Sequence, residues 1–397
     1  MPDLLIKNVR ALDPGTGFVA DWLRVADRKI SALGPADRLP NDAAESIDGG
    51  GRLLTPGLID IHTHGIEQFA YEGGPEQMLE ASRLLGKYGT TCVLPTFYRC
   101  LSRSRLGELE KFAAALALAD GVHMPGLHLE GPFMAVTGAG AQTIPGDVGL
   151  LDELLAAARG KTLVMSLSPE VPGIVPVIER LRELSIVPLM THTQASVEQT
   201  ERAIDAGARH ATHFYDVFPM PKETDPGVRP TGTVETILAD PRATVDFIAD
   251  GVHVHPTAIK AAVAAKGWQG VMLITDSNVG AGLPPGDYDS PVGGRVRIAP
   301  GDAARIFEPG SPLDGVLAGS ALTMDRGMAN LLKWLKLPEE LVWAMGSRNP
   351  AKLLGLGSKG TLQLGADADL VLWDQSDGRL RAARTWVGGR CVFELQE

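Results

Sequence analysis

Two histidines one residue apart end the apolar run Thr55-Pro56-Gly57-Leu58-Ile59-Asp60-Ile61-His62-Thr63-His64-Gly65. Residues two apart on an extended strand share a face, so His62 and His64 can aim their imidazoles at one point, a candidate metal position. A lone His-x-His carries little. It gains weight because distant stretches end in further ligand types: His128-Leu129-Glu130, His192, His213 and Asp276. Several histidines with two carboxylates form a transition-metal donor set, with zinc the first candidate and one or two ions expected. Zinc lowers the pKa of bound water to about 7, which makes a hydroxide nucleophile available at neutral pH. Asp276 is then the carboxylate able to take a proton from that water and return it to a leaving amine, which suits amide hydrolysis.

These residues need a scaffold that brings them together. Between about residues 56 and 356 the pattern alternates strands with helices, as βα units of a parallel sheet do. Strands are predicted at 58–62, 90–94, 126–130, 162–167, 187–191, 209–212, 244–249 and 271–275, and helices at 75–86, 102–119, 150–158, 173–184, 196–206, 233–238 and 256–266. Runs such as Val271-Met272-Leu273-Ile274 are apolar at every position, as expected for strands covered on both faces. Eight such units predict a (β/α)8 TIM barrel, and every candidate ligand then falls on the rim at the strand C-termini, where barrel enzymes keep their chemistry. The fourth strand ends in Leu167-Ser168-Pro169, with no lysine to be carbamylated as a bridge between metals, so Glu130 is expected as the bridging or principal carboxylate. The segments 1–55 and 357–397 read instead as short strands separated by turns, and are expected to pair into one small β-sandwich domain. A loop and hairpin inserted around 280–316, beginning with the glycine-rich 280–286 stretch, is a candidate lid over the substrate.

A net charge of −11, from 48 acidic and 37 basic residues, argues against a nucleic-acid or anionic-membrane surface. The start of the chain shows no leader pattern and no stretch is long and apolar enough for a membrane span, so a cytoplasmic protein is expected. Three scattered cysteines exclude a disulfide framework, and Cys92 and Cys100 read as inert buried thiols. His123 and His210 are expected as surface or packing residues, His255 as a helix-start surface residue and Asp60 as a supporting acid.

The segments Pro56-Gly57-Leu58-Ile59-Asp60-Ile61-His62, His128-Leu129-Glu130-Gly131-Pro132-Phe133, Ala249-Asp250-Gly251-Val252-His253, Ile274-Thr275-Asp276 and Leu317-Ala318-Gly319-Ser320-Ala321-Leu322-Thr323-Met324-Asp325 resemble those of N-acetylglucosamine-6-phosphate deacetylases of the amidohydrolase superfamily. The resemblance extends to Gly365-Ala366-Asp367-Ala368-Asp369-Leu370 near the C-terminus. It implies a barrel with a terminal β-sandwich, a small-molecule substrate and a homodimer. By the same resemblance Glu130, His192 and His213 hold the main metal, His62 and His64 a second one, Asp276 is the catalytic acid and base, and His253 contacts the substrate near the scissile amide. Tyr215, Asp216, Thr224 and Leu322 fall at further substrate-binding positions.

Several of those positions depart from the family. His213-Phe214-Tyr215-Asp216-Val217-Phe218 has an acid where the family has an asparagine near the sugar phosphate, and Thr224-Asp225-Pro226-Gly227 lacks the family's phosphate-reaching arginine. Thr137-Gly138-Ala139-Gly140 likewise lacks a substrate-facing histidine. Like charges a few ångströms apart cost on the order of kilocalories when partly desolvated, so Asp216 disfavours a phosphate unless Lys222 or Arg229 compensates. The expected activity is removal of an acetyl group from an N-acetylated amino sugar. The rivals are hydrolysis of another amide or a cyclic amidine, and a catalytically silent scaffold of the same fold.

Overall fold

The computed structural model describes residues 3–43, 45–138 and 142–396. Eight parallel strands follow one another around a single sheet: Leu58–Thr63, Thr90–Phe97, Leu127–Glu130, Thr162–Leu167, Val187–Met190, His210–Ala211, Thr244–Ile248 and Val271–Ile274. Beyond its last ladder the sheet closes on itself, with the Asp276 N–H donating to the His62 carbonyl at 2.8 Å and the His64 N–H to that of Ser277 at 2.8 Å. The barrel predicted from the strand and helix alternation is present, with element ends shifted by a few residues.

Ile59, Ile61, Leu94, Val164, Leu189 and Ile274 pack inside the barrel, while Val93, Leu129, Met165 and Leu273 on the other face meet the helices. The helices supply matching stripes, as in Ile174–Glu183, where Ile174, Val177, Ile178 and Leu181 are buried. Helix Val197–Ala206 starts at a capping box, Ser196 accepting from the Gln199 N–H and Gln199 from the Ser196 N–H. Three helices that the sequence reading did not place, Met324–Trp334, Glu339–Met345 and Arg348–Leu353, follow the eighth strand. Between them and that strand, Gly286–Asp289, Arg295–Ile298 and Ala304–Ile306 form the expected insertion as a three-stranded sheet.

The two chain ends share one seven-stranded sheet. Leu4–Asp13 runs parallel to Glu45–Pro56, which pairs antiparallel with Leu370–Asp374. The sheet coils until its edge strand Lys29–Gly34 reaches the 365–368 segment, with the Ile30 N–H donating to the Ala366 carbonyl at 2.9 Å. Ile6, Leu23, Ile30, Leu370 and Trp386 fill the space enclosed. Residues 1, 2, 44 and 397 of this expected β-domain lie outside the described residues. Trp373 joins the sheet to the barrel by packing at 5.1 Å from Trp343. No helix among the described residues is long and apolar enough to cross a membrane.

A buried charge cluster ties the C-terminal segment together. Lys359 is paired with Asp369 and, at 3.0 Å, with Asp367, which Lys29 also reaches. Burial alone would raise the Asp367 carboxyl, but the bonds from Lys29 and Lys359 hold it down at about 2. A depressed carboxylate contributes stability that is complete above its unfolded value of about 3.9 and lost as the pH falls toward the folded value. Acid unfolding monitored between about pH 5 and pH 2 therefore shows stability declining across this window. Lys359→Met leaves carboxylates buried without their cation, and denaturant unfolding at neutral pH should show a loss of about 3 kcal/mol.

Candidate metal centre

Past the fifth, sixth and eighth strands the backbone turns sharply at a residue of the cluster. His192, His213 and Asp276 all sit in the left-handed region, at φ 47°, 36° and 48°, which costs energy for non-glycine residues and is retained where the surroundings enforce it. On the first strand the pairing shifts register between Asp60 and Thr63. Strict alternation is broken there, so Ile61 lies in the apolar barrel interior and His62 beside it also turns inward, against Thr212 and Glu130.

The Glu130 carboxylate is the centre of what results. One oxygen lies 3.4 Å from His62 Nε2, 3.5 Å from His192 Nε2 and 3.2 Å from His213 Nε2, and the other lies 3.3 Å from His64 Nε2. Asp276 Oδ1 is 3.2 Å from His64 Nε2 and 3.7 Å from His62 Nε2. Among the described residues two groups have ligand atoms close enough to share an ion, His62 with Glu130 and His213, and His62 with His64 and Asp276.

The hydrogen bonds around these rings suit metal binding. His192 Nδ1 faces the Val136 carbonyl at 3.1 Å and His213 Nδ1 the Asp216 carbonyl at 3.2 Å. A carbonyl only accepts, so each Nδ1 carries a hydrogen and each Nε2 is the nitrogen turned toward Glu130, where a bound ion would take the place of a proton. His62 Nε2 and Asp276 Oδ1 are buried with no hydrogen-bond partner among the described residues. Orphaned donor-set atoms at the centre of such a cluster fit a divalent ion. Without an ion, burial opposes charge here but the close pairs overcome it: Glu130 lies well below the usual carboxylate range under His62, His192 and His213, and His213 is pushed up to about 10, chiefly by Glu130.

The cluster opens into a cavity of about 1000 Å³ bounded by the strand ends and the inserted three-stranded sheet. His253 lies on its wall, with Nδ1 2.6 Å from the Asp250 carboxylate, and Asp216 faces it as well. Three expected substrate residues are placed elsewhere, and those expectations are corrected. Tyr215 turns away to stack near Phe214 and Phe247 and lines a separate small pocket with Phe218. Thr224 is solvent-exposed and outside the cavity wall. Leu322 is buried in the barrel interior with Ile59 and Met272, where its apolar side chain belongs. Neither expected compensating cation lines the cavity: Lys222 is exposed, and Arg229 is exposed and pairs with Glu235. Ala139 and Gly140 lie outside the described residues.

His128 does not join the ligands; its ring is held by the Ile61 carbonyl at 2.9 Å and the Ser166 hydroxyl at 2.7 Å. His210 is wholly buried, the packing alternative, and pairs with Asp246 at 2.8 Å. His123 is exposed, and His255 caps helix Pro256–Lys266. Asp246, Asp250 and Arg99 were not foreseen. An acid amid the apolar Val245, Phe247 and Ile248 was the available signal for Asp246; its other oxygen accepts the His213 N–H at 2.5 Å.

Fold and site together define a barrel hydrolase built around a metal-ligand cluster. The chain belongs to the amidohydrolase family, whose model matches residues 53–394. Within that metal-dependent family it is similar to the N-acetylglucosamine-6-phosphate deacetylase of Bacillus subtilis strain 168, 32% identical over 382 residues that cover 93% of this chain and 92% of that one. The enzyme of the same name from Lysinibacillus sphaericus is 30% identical over 384 residues, 94% of each chain. The Mycobacterium smegmatis N-acetyl-D-glucosamine-6-phosphate deacetylase, solved as a mutant in complex with N-acetyl-D-glucosamine-6-phosphate, superposes with a TM-score of 0.84 at 25% identity over 99% of this chain and 100% of that one.

Gly138 leans on the His192 ring so closely that a Cβ there would meet Cε1 at 2.2 Å. Gly138→Ala must therefore displace the His192 ring from Glu130, and the variant's metal affinity, measured by competition with a chromophoric chelator, should fall about tenfold or more.

Proposed function

We propose that this chain hydrolyses the acetamide of an N-acetylated amino sugar, releasing acetate and the free amine, with the reaction centred on Glu130 and Asp276. The observation that carries the reading is the convergence of three buried histidines and the partly buried His64 on the Glu130 carboxylate, with Asp276 beside them, at the floor of a cavity roomy enough for a sugar. The names of the relatives agree with it.

In this reading Glu130, His192 and His213 hold the main ion, and His62 and His64 with Asp276 offer a second position. The ion is zinc, which the nitrogen-rich donor set favours. When bound, it supplies Lewis acidity and eases deprotonation of the attacking water. Asp276 takes the water's proton on its partnerless oxygen and delivers it to the departing nitrogen as the carbon–nitrogen bond breaks. His253 is raised above its ordinary value, since the Asp250 carboxylate outweighs the effect of burial, so its ring can donate from Nε2 to the oxygen on which charge develops. The inserted three-stranded sheet, which contributes Val296 and Phe307 to the cavity wall, is the lid that excludes water. Residues 1–55 with 357–397 act as a backing domain for the 56–356 barrel. The protein works as a homodimer in the cytoplasm, where the free thiols of Cys92, Cys100 and Cys391 stay reduced.

Zinc-loaded protein should release acetate from N-acetylglucosamine or its 6-phosphate. Asp276→Asn should lower kcat by about 10²- to 10⁴-fold while a useful fraction of the bound metal remains. Unchanged turnover in that variant would remove Asp276 from the chemistry, and no acetate from either sugar would sink the deacetylase reading.

A further inference from the structure

Arg99 and Arg295 are the two Lys or Arg side chains among the described residues that line the cavity. They differ in how they are held. Arg295 belongs to the inserted sheet, is about half exposed, and is shared with Asp289 at 3.1 Å. Arg99 follows the second barrel strand, and its guanidinium has no hydrogen bond or ion pair among the described residues, although its backbone is clamped from both sides. The Glu72 carboxylate accepts the N–H groups of Tyr98 at 3.3 Å, Arg99 at 3.0 Å and Cys100 at 3.1 Å. The Arg105 guanidinium donates to the Arg99 carbonyl at 2.9 Å. Tyr98 in turn packs its ring edge-on against His64, 5.2 Å between centroids, which fixes Arg99 relative to the ligand cluster.

A half-buried cation on a rigid backbone, at the wall of a substrate cavity with its donors unused, is arranged to receive an oxyanion. A guanidinium offers paired N–H donors that match carboxylate or phosphate oxygens, and a held backbone reduces the entropy lost on pairing. Asp216 makes the placement directional. It stands on the wall after the sixth strand, where it repels a negative group, whereas Arg99 stands on the wall after the second. The cations expected from sequence near Asp216 do not reach the cavity, so the attraction lies on the Arg99 side.

We infer that Arg99 binds an anionic group of the substrate, a phosphate or a carboxylate, and so determines specificity from the wall after the second barrel strand, away from Asp216. The inference rests on the reading of this cavity as the substrate site of an acyl-amide hydrolase. Arg295 is the secondary contact.

The test is calorimetric titration of the metal-loaded, full-length protein with inorganic phosphate, N-acetylglucosamine 6-phosphate, N-acetylglycine and N-acetylglucosamine, alongside acetate release from the three acetylated compounds. The wild type should bind at least one anionic probe more tightly than the neutral sugar, and the stronger of the phosphate and carboxylate arms identifies the anion. Arg99→Met should weaken that probe about 10- to 100-fold, with the loss in KM rather than kcat, and leave the neutral sugar within about twofold. Arg99→Lys should recover part of the loss, and unchanged metal content should show that the fold is intact. Equal weakening of charged and neutral probes, or no anion preference in the wild type, overturns the assignment. Arg99-dependent anion binding without acetate release would retain the anion site and reject the deacetylase reading. Acetate release with no Arg99-dependent preference would do the reverse.

Discussion

A carboxylate has been taken out of water at the mouth of an apolar barrel, and much of the surrounding structure answers that fact. Glu130 would be costly to bury alone, and it is matched by four imidazoles at 3.2 to 3.5 Å, themselves shielded from solvent. The left-handed backbone of His192, His213 and Asp276 and the bulge that turns His62 inward are local costs that this arrangement requires. Carbonyls behind His192 and His213 hold Nδ1 of each ring and so turn Nε2 toward Glu130, and the absent side chain of Gly138 leaves room for the His192 ring.

A second pattern supports the first. Buried or half-buried acids accept backbone N–H groups from the segments that carry the site, so its loops are fixed by charge-assisted bonds. Asp60 serves His62 and Thr275, Asp246 serves His213, Asp250 serves Val252 and His253, Glu170 serves Gln194, and Glu72 serves the 98–100 segment. At His62, Thr275 and His213 the carboxylate satisfies donors that would otherwise be buried unpaired. The same device holds the ligand residues and the cavity wall that carries Arg99, which links the stability of the rim to the placement of its polar side chains.

The sequence-level features that survive are those with a one-dimensional signature. The alternation of apolar strands with amphipathic helices located the barrel because burial on two faces and burial on one stripe leave different periodicities. The ligand types were legible for a related reason: histidines and acids at the ends of apolar runs stand out against their neighbours. Helices Glu339–Met345 and Arg348–Leu353 were less visible, being short and set between loops. Leu322 was misread because proximity to a recognisable segment says nothing about which face a side chain takes, and here it faces the barrel interior. Tyr215 was misread because a positive-φ turn, with Tyr215 at 76° and Val217 at 53°, alternates directions in a way no strand or helix period anticipates.

By itself the sequence determined the barrel and the residue types of the cluster at its mouth, because these depend on composition and local period. Only the tertiary structure decided that Glu130 is shared among four histidines, that His128 points elsewhere, and that among the described residues the unpaired cation on the cavity wall is Arg99 and not Lys222 or Arg229. Those outcomes depend on distances between segments tens to hundreds of residues apart, set by how strands close around a barrel. A linear reading carries no measure of such distances.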